Sequence, residues 1–199
     1  MFFVLIVRPF MTLFIGLRVR GRDHLAAPGP FVLVANHSSH LDTVALLSLF
    51  PLRRLRCIRP CAAADVFERT RTRAFWSRLL FHVLPIERVD VRPEDHPLDR
   101  MAAALVRGES LILFPEGTRG VGGDMGPFKS GVARLAERMP GLTFIPAYLR
   151  DIGRALPKGE FLPVPFFCEI RIGEPMRLTG EKDAMLQSLR LRMEALREA

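Results

Sequence analysis

His37 and Asp42, at the two ends of the run His37-Ser38-Ser39-His40-Leu41-Asp42, are the side chains of this sequence best placed to do chemistry. On a continuous helix, residues five apart point about 140° away from each other, at 3.6 residues per turn. The two can therefore meet only if the chain turns between them. A carboxylate on one imidazole nitrogen fixes the tautomer and leaves the other nitrogen open to take a proton. That is the arrangement of a general base. A plainer reading stands beside it, a solvated loop histidine and an aspartate that caps a helix.

A second polar cluster, Phe114-Pro115-Glu116-Gly117-Thr118-Arg119, has a different character. Gly117 is free to take backbone angles closed to other residues. Arg119 offers a planar fork of donors suited to phosphate, and backbone N–H groups near Gly117 and Thr118 could add an anion nest. Standing alone, the cluster also reads as a β-turn with a surface arginine.

Each cluster follows an apolar run of strand character, Phe31 to Ala35 and Ser110 to Leu113. Strand-to-helix turns are where α/β folds commonly place ligands. Further strand-like runs are Leu55 to Arg59, His82 to Ile86, Thr143 to Leu149 and Phe166 to Ile172. Helical patterns cover Thr43 to Phe50, Arg71 to Leu80, Pro97 to Arg107, Pro127 to Met139 and Glu181 to Glu198. Pro97 with Gly108, and Pro127 with Gly141, suit the start and stop of a helix. The glycine-rich stretch from Gly120 to Gly126 is not a nucleotide-binding loop, because Phe128 stands before Lys129-Ser130 where that motif needs glycine. It reads as a loop bordering the site. Together these elements predict one α/β domain.

The chain has 199 residues, 49% of them hydrophobic, enough for a single domain with a real core. Its three cysteines, Cys57, Cys61 and Cys168, show neither a disulfide framework nor zinc-site spacing. A metal-dependent hydrolase using His37, His40 and Asp42 needs further converging ligands, and His24, His82 and His96 are scattered; no metal is expected. The net charge of +8 comes mainly from arginine, with a cluster at Arg53, Arg54, Arg56 and Arg59. Such a surface suits nucleic acid or an anionic membrane. No zinc-finger, aromatic RNA-binding or basic-heptad pattern supports nucleic acid, and a purely membrane-binding protein would leave both turns unexplained.

The first residues favour the membrane. Two strongly apolar stretches, Phe2 to Val7 and Phe10 to Leu17, are split by Arg8-Pro9. A spanning helix wants about 20 consecutive apolar residues, and an arginine in mid-span costs roughly 2.5–3.5 kcal/mol on insertion scales. The pattern predicts an interfacial helix bent at Pro9, with Arg8, Arg18 and Arg20 at the headgroups. A buried N-terminal core helix is the alternative.

The two polar clusters, in this order, resemble the glycerolipid acyltransferases. Members of that family carry an N-H-x-x-x-x-D block, an arginine-containing block after an apolar strand, an F-P-E-G-T-R block and a late block around Ile-Pro. Leu84-Pro85-Ile86-Glu87-Arg88 resembles the second, Thr143-Phe144-Ile145-Pro146-Ala147 the fourth, and Phe128-Lys129-Ser130-Gly131 the segment that follows the third. The resemblance implies a single α/β domain with a mixed central sheet flanked by helices, spanning residues 21–199 behind a membrane-associating segment at residues 1–20. It implies acyl transfer from coenzyme A or acyl carrier protein to the hydroxyl of a lysophospholipid, with 1-acylglycerol 3-phosphate as the expected acceptor. A phosphate-free lyso-aminolipid is the alternative. No cofactor is expected beyond the acyl thioester, and no acyl-enzyme. His37 and Asp42 take the catalytic roles, and Arg88, Glu116, Gly117, Thr118 and Arg119 bind the acceptor, with Arg119 on the phosphate. Glu116 is expected to hold Arg119 or a turn N–H. Ahead of the second block, where family members often show a basic residue, this chain reads Ala62-Ala63-Ala64-Asp65-Val66, so Arg59 or Arg88 would have to substitute. The expected location is the cytoplasmic face of a membrane, as a peripheral or monotopic protein.

Overall fold

A strand covered on both faces needs an apolar side chain at every position, and Phe31 to Ala35 meets that demand with all five residues buried. It lies at the centre of the sheet in the computed structural model, which describes residues 3–63, 82–86, 96–120, 124–156 and 162–199. The strands are β1 (Arg18–Arg20), β2 (Phe31–Ala35), β3 (Ile58–Ala63), β4 (Leu84–Ile86), β5 (Ser110–Leu113), β6 (Thr143–Arg150), β7 (Glu169–Ile172) and β8 (Met176–Arg177). Their spatial order is β1-β7-β6-β2-β5-β3-β4, with β8 beside β6. β2 runs parallel to both β5 and β6, whereas β6 is antiparallel to β7 and β8. The sheet is mixed, as expected.

The register brings the two polar clusters together. Val34 lies opposite Leu113, and Ala35 opposite Ala147. The chain therefore leaves β2 and β5 side by side, at the carboxyl edge of a parallel pair. Alternation along β2 sends Phe31, Leu33 and Ala35 to one core layer and Val32 and Val34 to the other. The first layer holds the N-terminal segment, α1 (Leu41–Ser48) and the single turn α5 (Ile152–Ala155). The second holds α3 (Pro97–Val106), α4 (Gly131–Arg138) and α6 (Lys182–Glu198). Between α1 and β3 lies α2 (Leu52–Leu55).

The N-terminal segment is shared between core and surface. It winds as two wide π-helical turns, Phe3–Val7 and Phe10–Phe14, on either side of Arg8-Pro9. Proline has no N–H and crowds the carbonyl four residues back, and the wider winding relieves that crowding. Val7, Met11 and Ile15 are buried in the core, whereas Leu5, Ile6 and Leu13 are 62%, 58% and 83% exposed. The buried stripe is what the alternative of an N-terminal core helix implied. Arg8 does not reach outward as expected: its guanidinium donates to the carbonyls of Ser48 and Phe50, which α1 leaves unpaired at its C-terminal end. Arg20 pairs with Glu169 at 2.7 Å. No helix among the described residues is long and apolar enough to cross a membrane.

Other expectations shift by a few residues. The strand expected at Leu55 begins at Ile58, because Pro51 starts a helical turn that uses Leu55. The helix expected from Pro127 begins at Gly131, and the strand expected from Phe166 begins at Glu169. The edge strands β1 and β8 lacked any apolar run long enough to announce them. The helix expected at Arg71 to Leu80 and the candidate Arg88 lie outside the described residues.

Arg171 fastens α6 to the sheet. Its side chain is buried, pairs with Glu169 at 2.7 Å, and donates to the carbonyls of Leu196 and Arg197 at 2.9 and 3.0 Å. A cation suits the C-terminal end of a helix. Arg171→Met keeps the stem but strands these partners, and we expect a loss of about 1–3 kcal/mol in urea unfolding. An unchanged midpoint would show that α6 is held by its apolar face alone.

Candidate active site

Asp42 is fully buried, yet it is well provided with donors. Its Oδ2 accepts the backbone N–H groups of Ser38 and Ser39 at 2.6 and 2.8 Å, and lies 2.9 Å from His37 Nδ1. The turn that the spacing required is therefore wound around the carboxylate itself. Asp42 sits inside the first turn of α1, after His40, so it is not the helix cap of the plainer reading. Because Asp42 can only accept, Nδ1 carries the proton and Nε2 is left as the basic nitrogen. Nε2 has no hydrogen-bond partner among the described residues, and the His37 side chain is 20% exposed. The arrangement can take a proton from a group arriving at Nε2. It does not suit the metal-site alternative, since Asp42 is consumed by the turn and by His37.

The second cluster and Gly120 just after it touch the first at three points. The Phe114 ring stacks on the His37 imidazole, with centroids 4.2 Å apart and planes 19° from parallel. Glu116 Oε1 accepts the His37 N–H at 3.0 Å, and the Gly120 N–H donates to the His37 carbonyl at 2.8 Å. Glu116 is buried, and its other oxygen accepts the Gly126 N–H at 2.8 Å. Both of its oxygens are thus turned to backbone, which matches the turn N–H expected of it and leaves no acceptor contact in view. Gly117 has φ +72° and closes a turn onto the Phe114 carbonyl at 3.1 Å. Thr118 is exposed and Arg119 half-buried. Arg119 makes no hydrogen bond or ion pair among the described residues, so its fork is open.

Beside Phe114 lies a largely apolar cavity of about 340 Å³, lined by Leu98, Met101, Leu113, Phe114 and Val132 among others, with Gly117 and Lys129 at its wall. Cys61 also faces it, and burial pushes that thiol up to about 12. Burial pushes Cys168 up to about 12 as well. Neither is a thiolate near neutral pH, so neither is an activated nucleophile.

The acyltransferase family profile matches residues 16–150, two thirds of the sequence. The chain belongs to the acyltransferase family. It is 31% identical over 143 residues to a chloroplastic 1-acyl-sn-glycerol-3-phosphate acyltransferase of Brassica napus, covering 71% of this chain and 39% of that one. It is 27% identical over 169 residues to the alpha form of the same-named enzyme from Mus musculus, covering 83% and 56%. This acyltransferase chain spans about two fifths of the length of the first of these relatives. The crystal structure of the 1-acyl-sn-glycerophosphate acyltransferase PlsC from Thermotoga maritima superposes with a TM-score of 0.75 at 22% identity, covering 96% of this chain and 75% of that one. That likeness fixes the fold.

Three contributors to the candidate site were not singled out from sequence. Asn36 is buried and exchanges two hydrogen bonds with the Leu149 backbone, at 3.0 and 2.7 Å, which extends the β2–β6 pairing by one residue before the turn. Arg190 of α6 donates to the carbonyls of Met125 and Gly126, both at 3.1 Å, and lies over the Phe128 ring. It holds the loop whose N–H reaches Glu116. Phe114 was read only as part of its block. Stacking on an imidazole from a turn distant in sequence leaves no local signal.

Glu116→Gln tests the bridge, since an amide cannot accept at both ends and turns one NH2 toward an N–H. We expect about 1–3 kcal/mol of destabilisation, with faster hydrogen exchange at the His37 and Gly126 amides. Exchange unchanged at both would contradict the bridge.

Proposed function

We propose that this protein transfers an acyl group from an acyl thioester to the free hydroxyl of a lysophospholipid, with 1-acylglycerol 3-phosphate as acceptor and phosphatidic acid as product. The observation that carries the reading is the buried Asp42 on His37 Nδ1, with Nε2 open beside the turn of Arg119. His37 Nε2 takes the proton of the acceptor hydroxyl as its oxygen attacks the thioester carbonyl. Asp42 orients the ring and stabilises the imidazolium, which returns the proton to the departing thiolate. The open guanidinium of Arg119 takes the acceptor phosphate, and the apolar cavity beside Phe114 suits an acyl chain. The names of the relatives from Brassica napus and Mus musculus support this choice of acceptor.

Kinetics with a panel of lysolipids test the assignment. His37→Ala should lower turnover by ~10²–10⁴, the range for general acid–base catalysis. Arg119→Ala should raise the KM for the phosphate acceptor far more than that for the donor. Equal use of a phosphate-free lyso-aminolipid by the wild type, with little loss in Arg119→Ala, would support the alternative acceptor.

We also propose peripheral attachment to an anionic phospholipid membrane. Leu5, Ile6, Leu13 and Phe14 are exposed on the N-terminal segment, and Leu162, Val164 and Phe167 on the stretch before β7. The Phe167 ring packs directly over Gly16, which joins the two stretches into one apolar surface. Patches of this kind mark interaction sites, and Arg18 and Arg154 stand exposed along its margin. Deleting the segment would also remove Val7, Met11 and Ile15 from the core, so surface substitution is the cleaner test. Leu13→Ser with Phe167→Ser should reduce sedimentation with vesicles of anionic phospholipid while leaving the fold intact. Full retention on the vesicles would exclude this surface.

A further inference from the structure

A phosphate monoester carries roughly −1.5 to −2 charges at pH 7, and Arg119 supplies one positive charge. Arg59 cannot supply the other. It pairs with Glu109 at 3.5 Å and lies opposite Leu111, near the start of β5, whereas the site is at that strand's far end. We infer that Lys129 is the second cation of the acceptor's phosphate site, joining Arg119 at the Glu116-Gly117-Thr118 turn. This rests on the proposed acyl transfer to a phosphate-bearing acceptor and adds a residue to it.

Three observations carry the inference. The Lys129 side chain is laid across Gly117: its Cε, Cδ and Nζ would lie 3.0, 3.1 and 3.2 Å from a Cβ at that position. A side chain there would have to push the lysine away, and the left-handed backbone of Gly117 is strained for any other residue as well. Lys129 is also tied to the turn through its own backbone, its N–H donating to the Pro115 carbonyl at 2.8 Å. Finally, its ammonium has no carboxylate or hydrogen-bond partner among the described residues. The neighbouring acid, Glu116, has both oxygens committed to the N–H groups of His37 and Gly126. Among the described residues, the basic side chains lining the adjacent cavity are His96, Lys129 and Arg134, with no acid beside them. A cation held against an anion-binding turn, with its local acid turned away, is built to meet an incoming anion.

The test compares full-length Lys129→Met, which keeps the stem, and Lys129→Arg, which keeps the charge, with the wild type. The measurements are KM for a phosphate-bearing lysoglycerolipid, KM for the acyl thioester, kcat, and inhibition by inorganic phosphate. Losing one charge-assisted contact should raise the acceptor KM about tenfold or more, with a smaller change in kcat. Inhibition by inorganic phosphate should weaken in parallel, and Lys129→Arg should recover most of both. An acceptor KM within about twofold of wild type in Lys129→Met would overturn the inference. So would a rise confined to the donor KM, which would place the lysine on the thioester's carrier instead. Wild type that uses a phosphate-free acceptor equally well would overturn the reading beneath it. Wild-type preference for phosphate persisting in Lys129→Met would overturn the lysine's role alone.

Discussion

The Glu116 carboxylate is the joint on which the site depends. Burying an ionised group without donors costs several kcal/mol, and here two backbone N–H groups from different loops meet it. One belongs to His37, directly after β2. The other belongs to Gly126, the last residue of the glycine-rich stretch. A single side chain on the turn after β5 thus sets the distance between the imidazole and the loop that carries Phe128 and Lys129. Close approach explains the glycines around it. A Cβ on Gly126 would meet Glu116 Oε2 at 3.2 Å, and one on Gly120 would meet the Asp124 carbonyl at 3.0 Å.

Asp42 does for the first turn what Glu116 does for the second. Its carboxylate holds the Ser38 and Ser39 N–H groups as well as the imidazole, so one side chain shapes the segment and orients the histidine at once. Its place in the first turn of α1 sets a negative charge where a helix favours one. The far end of the same helix is served by Arg8, whose guanidinium covers carbonyls there. A residue from the N-terminal segment is in this way part of the support for the helix that carries Asp42.

The parts of the fold that could be read in advance were those where one local pattern had one physical meaning. Phe31 to Ala35 has no polar residue to alternate with, so it had to be buried on both faces. The histidine and aspartate spacing excluded a helix between them. Boundaries were read less well where two local preferences competed: Pro51 admits a helical turn, and Leu55 joined it rather than the strand. Arg8 was misplaced because an arginine beside an apolar run looks the same whether its partners are headgroups or helix carbonyls. Arg190 stands in the sequence only as one position of the helical pattern from Glu181 to Glu198. Its partners lie more than sixty residues earlier, and no spacing rule connects them.

The N-terminal segment joins an exposed apolar face to the core. At four-residue spacing, Val7, Met11 and Ile15 form one buried stripe, while Leu5, Ile6 and Leu13 face outward. One short helical stretch has apolar residues on both sides, and among the described residues only the inner side is covered. Gly16, in a left-handed conformation, then turns the chain beneath the Phe167 ring and into β1, which pairs with β7. Any force on the outer face is therefore passed to the sheet through the same residues that fill its core. Arg8 passes it on to α1 and the His37 turn. The outer face is in this way built onto the same elements that position His37.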